Sequence, residues 1–180
     1  MTFQVRDATA GDIGALQAIY AHHVLTGLGT FDEVPPPVGD FEQKWRASLT
    51  HGLSWLVALD SARVVGFAYA SLFRPRPGYR YTVEDSVYIR DDWRRRGVGS
   101  ALLAPLLQRC EQLGVRQVVA VIGDSGNAGS IGLHAKHGFA HAGTVTGAGF
   151  KFGRWVDIVL MQKALNGGAQ GTPGDGAGWH

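Results

Sequence analysis

The stretch DDWRRRGVGSALL, residues 91–103, decides how the rest of the chain is read. Three arginines, 94–96, stand against Gly97 and Gly99, and an apolar run follows at once. A solvated charge run has no need of the glycines, and an ordinary helix start disfavours them. Read physically, residues 95–100 form a turn from a strand into a helix. Gly97 and Gly99 let the backbone bend and let a ligand approach with no Cβ in the way. The helix that opens there offers N–H groups without partners and the positive end of its dipole. Arg94, Arg95 and Arg96 add full charges around it, a combination suited to a pyrophosphate. A nucleotide P-loop requires Lys-Ser or Lys-Thr after its last glycine, whereas Ser100 and Ala101 follow here. The dinucleotide fingerprint requires a small residue where Leu102 stands. Pattern alone leaves two readings, an anion-binding turn or a basic helix start with no ligand.

Outward from the turn, the spacing predicts strands and helices in mixed order. Residues 3–9 read as an edge strand, and residues 9–25 show helical spacing through Ile13, Leu16, Ile19 and Tyr20. His22 and His23 fall on that helix as surface residues. LGTFDEVPPP is a loop stiffened by three prolines, and DFEQKWRASL is a second amphipathic helix. Residues 54–60 and 63–73 read as paired strands, and RPRPGYR as a loop. YTVEDSVYI is β-rich and leads through the glycine turn into a helix from Val98 to Leu113. Pro105 inside that helix deletes one backbone bond, a cost of about 3 kcal/mol unless the helix bends. RQVVAVI is nearly continuous in apolar residues, the pattern of a strand buried on both faces. Residues 127–138 form a helix closed by Gly138, and residues 139–147 and 154–165 supply two last strands. The glycine-rich tail, 166–180, is expected to be disordered. The whole reads as one domain over residues 1–165, an α/β sheet with helices on both faces.

Composition narrows the function. The chain has 180 residues and a net charge of +2, too small to argue for nucleic acid. All but four of its 17 basic residues are arginine, a bias toward planar or phosphate anions. One cysteine, Cys110, excludes an internal disulfide and fits a reducing compartment. No stretch has the roughly 20 apolar residues of a membrane span, and no signal peptide is visible. A soluble cytoplasmic protein is expected, with no membrane partner.

Several motifs in order carry a resemblance. R-x-x-G-x-G at residues 94–99 is followed about thirty residues on by NAGSIGLH and HGF. Together they resemble the GNAT superfamily of N-acetyltransferases. YAHHVL, TFDE, FRPRPGYRYTVEDSVYI, AVIGDSGNAGSIGLH and GFKFGRWVDIVLMQ are similar to the phosphinothricin and methionine sulfoximine N-acetyltransferases in particular. The likeness runs from Phe3 to Leu165. It implies a central mixed, mostly antiparallel sheet flanked by helices, with acetyl-CoA as co-substrate and no metal. The backbone of Val87, Tyr88 and Ile89 would pair with the pantetheine arm. Arg94, Arg95, Arg96, Gly97, Val98, Gly99 and Ser100 would hold the pyrophosphate. Asn127 would touch the coenzyme, although its place also suits a helix N-cap. Substrate contacts would come from Arg74, Pro75, Arg76, Glu84, Asp85 and Ser86. A homodimer is implied too, with residues 150–155 at its interface. Read from the residues alone, that segment is equally core aromatics with Lys151 and Arg154 as surface charge.

The chemistry assigns roles. Acetyl transfer to an amine needs a proton acceptor, oxyanion stabilisation and an outlet for the thiolate. Glu84 is the expected base, directly or through water, for a free α-amine. Strand alternation puts it on a face with Thr82, Ser86 and Tyr88, and turns Asp85 the other way. Its other reading is as a structural partner of an arginine. The loop arginines Arg74 and Arg76 suit a carboxylate or phosphinate, or are simply solvated. His134 stands where many relatives carry a tyrosine, as an acid toward the thiolate or as packing. His134, His137 and His141 lack a carboxylate, and His141 lies past the closing glycine, so no metal site is expected. The leading expectation is acetylation of a small amino acid or analogue in a ternary complex. Beside it stand another amine, a protein N-terminus or polyamine, and a coenzyme-A-binding module without turnover.

Overall fold

The computed structural model describes residues 3–174. Runs rich in β-branched and aromatic residues become strands, and segments with apolar residues three and four apart become helices. In chain order these are β1 Gln4–Asp7, α1 Ile13–Thr26, α2 Val38–Thr50, β2 Trp55–Asp60 and β3 Arg63–Leu72. They continue with β4 Thr82–Ile89, α3 Val98–Gln112, β5 Gln117–Gly123, α4 Ala128–Lys136, β6 Ala140–Lys151 and β7 Arg154–Ala164. The sheet order is β1-β2-β3-β4-β5-β7-β6. Among these strand pairs only β4 and β5 run parallel.

Helices bury both faces, as expected for a mixed sheet. On one face α1 and α2 bring Leu16, Tyr20 and Phe41 against Trp55, Phe67 and Tyr69. Trp55 and Tyr69 stack with ring centroids 4.1 Å apart. Phe67 is wholly buried there, and trimming such a ring to alanine costs about 3–5 kcal/mol. On the other face α3 packs Leu102, Leu103 and Leu106 against Val65, Val83 and Val118, with Ile131 and Leu133 of α4 beside them.

Two expectations need adjustment, the strand buried on both faces and the disordered tail. The strand RQVVAVI is not buried on both faces: Val118, Ala120 and Ile122 are buried, while Val119 and Val121 are half-buried. The apolar cluster under α1 and α2 draws on β2, β3 and β4 and does not include β5. Helix α3 continues through Pro105 to Gln112. The tail from residue 166 is turned and bonded as far as Gln170: Asn166 donates to the Val115 carbonyl at 3.0 Å, and the Arg116 guanidinium donates to the carbonyls of Gly168 and Gln170. Residues 175–180 lie outside the described residues.

One irregularity of the sheet positions everything that follows. β3 pairs with β4 as far as Ile89, and β5 pairs with β7 as far as Gly123. Yet β4 and β5 keep register only from Thr82–Gln117 to Asp85–Ala120. Past Asp85 they part, so residues 86–89 present one backbone edge to an open seam. Among the described residues no helix is long and apolar enough to cross a membrane.

Candidate active site

The glycine turn lies beyond the open end of the seam, after β4 ends at Ile89. Arg94 leaves a short 3-10 turn at Asp91–Trp93 and pairs with Asp91 at 2.6 Å. Arg95 takes a left-handed φ of 58°, and Arg96 lies over the Trp93 ring at 4.9 Å. Gly97 follows at φ 87°, where a side chain is strained, and α3 starts at Val98 with no side-chain cap. The Ala101 amide is the first to return to the turn, donating to the Gly97 carbonyl at 3.0 Å. The amides of Val98, Gly99 and Ser100 therefore open the helix without intrahelical partners. The two glycines differ in purpose. A Cβ on Gly97 meets open space, but one on Gly99 would come within 2.9 Å of Leu133 and 3.2 Å of Ile89. Gly99 thus brings α3 onto β4 and α4, and only its amide is left for a ligand.

Two histidines read as surface residues belong to this end. His23 donates Nε2–H to the Ile89 carbonyl at 2.9 Å, and burial holds its imidazole below the usual range. His22 is exposed and meets Asp91 at 2.5 Å. Together they fasten α1 to the end of β4 and the start of the turn. Tyr88 turns its ring into the α1 face, 5.0 Å from Tyr20, and burial pushes its hydroxyl well above the ordinary tyrosine range.

Glu84 lies on the α1–α2 face, opposite Ser71 in register, with Ser86 opposite Tyr69. Burial raises its carboxyl above the usual carboxylate range, and the charge of Asp85 adds to this. Arg74 and Lys44 pull it partly back. Lys44 reaches in from α2 and donates to the Tyr69 hydroxyl at 3.0 Å. No sequence pattern singled it out. Arg74 lies over the Phe73 ring at 4.5 Å and donates to the Phe73 carbonyl at 2.8 Å. Pro75 and Arg76 are exposed on the loop beyond it. Glu84, Ser86 and Arg74 are thus gathered on one side, and Pro75 and Arg76 are not drawn to them by any bond.

Asp85 goes to the opposite face, as alternation requires. Its carboxylate is buried and meets His134 Nε2 at 2.9 Å, while His134 Nδ1 donates to the Ser130 carbonyl at 2.7 Å. Both ring nitrogens are engaged. Asn127 caps α4: its Oδ1 accepts from the Ser130 amide at 3.1 Å, and its Nδ2 donates to the Gly123 carbonyl at 2.9 Å. Its second amide hydrogen is left for another acceptor.

The hairpin of β6 and β7 leaves Arg154 on the surface, as the bland reading of residues 150–155 has it, but reverses that reading for Lys151 and the aromatics. Lys151 is 2 % exposed and donates Nζ–H to the Thr30 carbonyl at 2.7 Å. Thr30 and Asp32 in turn hold the Tyr20 hydroxyl. Burial lowers the ammonium's affinity for its proton, and Asp32 and Glu33 counter this. Phe150, Phe152 and Trp155, by contrast, are 55, 57 and 70 % exposed. A charge is inside and the rings are outside.

Chemically, the seam suits a long ligand with a polyanion at one end and amides along its arm. Amide N–H groups and arginines are suited to an anion, and the free edge of β4 to amides. A raised carboxyl on the far face has the chemistry of a proton acceptor. The model of the "Acetyltransferase (GNAT) family" matches residues 16–139. The chain is 49 % identical over 169 residues to a phosphinothricin N-acetyltransferase of Alcaligenes faecalis, covering 94 % of this chain and 86 % of the relative. It is 40 % identical to an L-methionine sulfoximine/L-methionine sulfone acetyltransferase of Pseudomonas paraeruginosa, covering 92 % and 96 %. Its fold is similar to the crystal structure of a GNAT superfamily phosphinothricin acetyltransferase from Sinorhizobium meliloti in complex with AcCoA. That likeness has a TM-score of 0.94 and 41 % identity, and covers 98 % of this chain and 96 % of the other.

Proposed function

The chain belongs to the GNAT acetyltransferase family, and on that premise we propose that it moves an acetyl group from acetyl-CoA to the α-amine of a small amino acid or analogue. Methionine sulfoximine, methionine sulfone and phosphinothricin are the substrate class, which the names of its relatives support. The single observation that carries this reading is the parting of β4 and β5 beside an uncapped, glycine-opened helix start.

The residues fit acetyl-CoA. The amides of Val98, Gly99 and Ser100, with Arg94, Arg95 and Arg96, would hold its diphosphate. The open edge of Val87 and Tyr88 would pair with its pantetheine arm, and the spare amide hydrogen of Asn127 would reach the same arm. Ile89 offers less, because His23 already takes its carbonyl. When bound, acetyl-CoA supplies an activated thioester. Glu84 takes a proton from the α-ammonium, freeing the nitrogen lone pair to form the amide bond as the carbon–sulfur bond breaks. Arg74, with Arg76 and Pro75 behind it, orients the acceptor's anionic group, and Ser86 lines the same side.

The reading extends to a cytoplasmic homodimer whose protomers cover each other's Phe150, Phe152 and Trp155. Residues 1–165 form its one acetyltransferase domain. Steady-state release of coenzyme A with a panel of amino acids and analogues tests the activity. Glu84→Gln should lower kcat by about 10²–10⁴-fold with coenzyme binding retained. Full-rate turnover by that variant removes Glu84 as the base.

A further inference from the structure

The buried pair Asp85–His134 lies where β4 and β5 part, on the face opposite Glu84. Asp85 is the last β4 residue in register with β5, and the side chains of the pair are 1 % and 4 % exposed. The geometry fixes the protons. Nδ1 of His134 faces the Ser130 carbonyl, which can only accept, so Nδ1 carries a hydrogen. Nε2 faces a carboxylate oxygen, also an acceptor. Imidazole is the stronger base of the two, so the second hydrogen belongs on Nε2. The ring is then charged, with Asp85 as its counter-charge.

Nothing else packed around the ring competes for that role. Cys110 of α3 lies near Asp85 and is neutral, its thiol pushed by burial up to about 12. His137, on the same side of α4, is held below the usual imidazole range by burial and by the charge of Lys136. Phe139 meets the ring edge-on at 5.0 Å. Burial works against the charged form of His134, but the hydrogen bond and charge of Asp85 outweigh it, and the ring's affinity for its proton is raised. Asp85 Oδ1, the other carboxylate oxygen, is buried without a hydrogen-bond partner among the described residues, so the imidazole is the partner of this carboxylate.

We propose that Asp85 is a positioning residue that holds His134 as an imidazolium at the closed end of the β4–β5 seam, where its fixed charge stabilises the sulfur as the carbon–sulfur bond breaks. This rests on the acetyltransferase reading above and deepens it. Both N–H groups are engaged, so the ring supplies charge and keeps its protons. The sulfur leaves with the bonding electron pair as a thiolate. Of the two protons the ammonium nitrogen gives up in becoming an amide, Glu84 takes the first. The second, released as the amide forms, ends on the thiolate after the carbon–sulfur bond has broken.

Nitrogen-15 NMR of the imidazoles in the wild-type protein tests the first half. At about pH 7, above the ordinary histidine value, both nitrogens of His134 should be protonated. Asp85→Asn keeps the shape and offers Nε2 an amide hydrogen, which leaves a neutral ring. Its kcat should fall about 100- to 1000-fold, the range for one preorganised electrostatic donor, with both KM values within about twofold. His134→Gln should lose as much, and the double variant no more, because Asp85 acts through His134. A neutral wild-type ring, or undiminished kcat in Asp85→Asn, overturns the proposal. Should Asp85→Asn fail to fold, the wild-type nitrogen shifts still decide. Absence of any acetyl transfer by the wild-type protein is a separate outcome, which removes the acetyltransferase reading while the shifts still report the ring's charge.

Discussion

Glu84 and Asp85 are neighbours with opposite surroundings, and strand alternation alone separates them. One carboxyl sits half-buried among cations on the α2 face; the other is enclosed with an imidazole on the α3 face. Lys44 makes the difference measurable. Its ammonium lowers the Glu84 carboxyl's affinity for a proton, so removing it raises that affinity. A base must be deprotonated to act, and activity therefore falls as pH drops through its pKa. Lys44→Met should move the acid limb of kcat/KM to higher pH and leave the plateau at high pH unchanged. A pH–rate profile checks this. A uniform loss at every pH would instead make Lys44 a binding group.

At the level of elements, the glycine turn was the legible part, because its determinants are contiguous. Arg94 to Ser100 declare a bent strand-to-helix junction within seven positions, and the structure bends there. Glu84's face was legible too, since alternation is local. What sequence could not reveal came from distant packing. Lys151 reads as a surface charge between aromatics until Thr30, far off in the chain, supplies its carbonyl. His134 meets Asp85 across 49 positions, and His23 reaches Ile89 across 66. The glycines show the same division. Gly97 is needed for its φ, which pattern suggests, whereas Gly99 is needed for Leu133 and Ile89, which pattern does not contain. Gly99→Ala should cost about 1–3 kcal/mol by overpacking and raise KM for acetyl-CoA as α4 is pushed from α3. Gly97→Ala should cost about 1–2 kcal/mol, from backbone strain alone. Urea titrations beside steady-state kinetics separate the two, and a harmless Gly99→Ala would mean that Leu133 yields freely.

For the molecule as a whole, the β6–β7 hairpin joins two matters usually kept apart. Its inner side anchors the loop that carries Thr30 and Asp32, and its outer side offers three aromatic rings. A patch of that kind marks an association surface. On the dimer proposed above, Trp155→Arg should leave the fold intact and shift sedimentation velocity from dimer to monomer. An unchanged sedimentation profile would place the contact elsewhere. The seam has a further consequence. A sheet that stops bonding partway is an unfinished fabric, and on the reading proposed above an acyl donor laid along β4 would supply the missing thread. Folding and occupancy then share one account of free energy: at a hundredfold excess over Kd, the bound form gains about 2.7 kcal/mol. On the proposed reading the protein should resist heat and proteolysis better with its acyl donor bound, which melting curves with and without acetyl-CoA check.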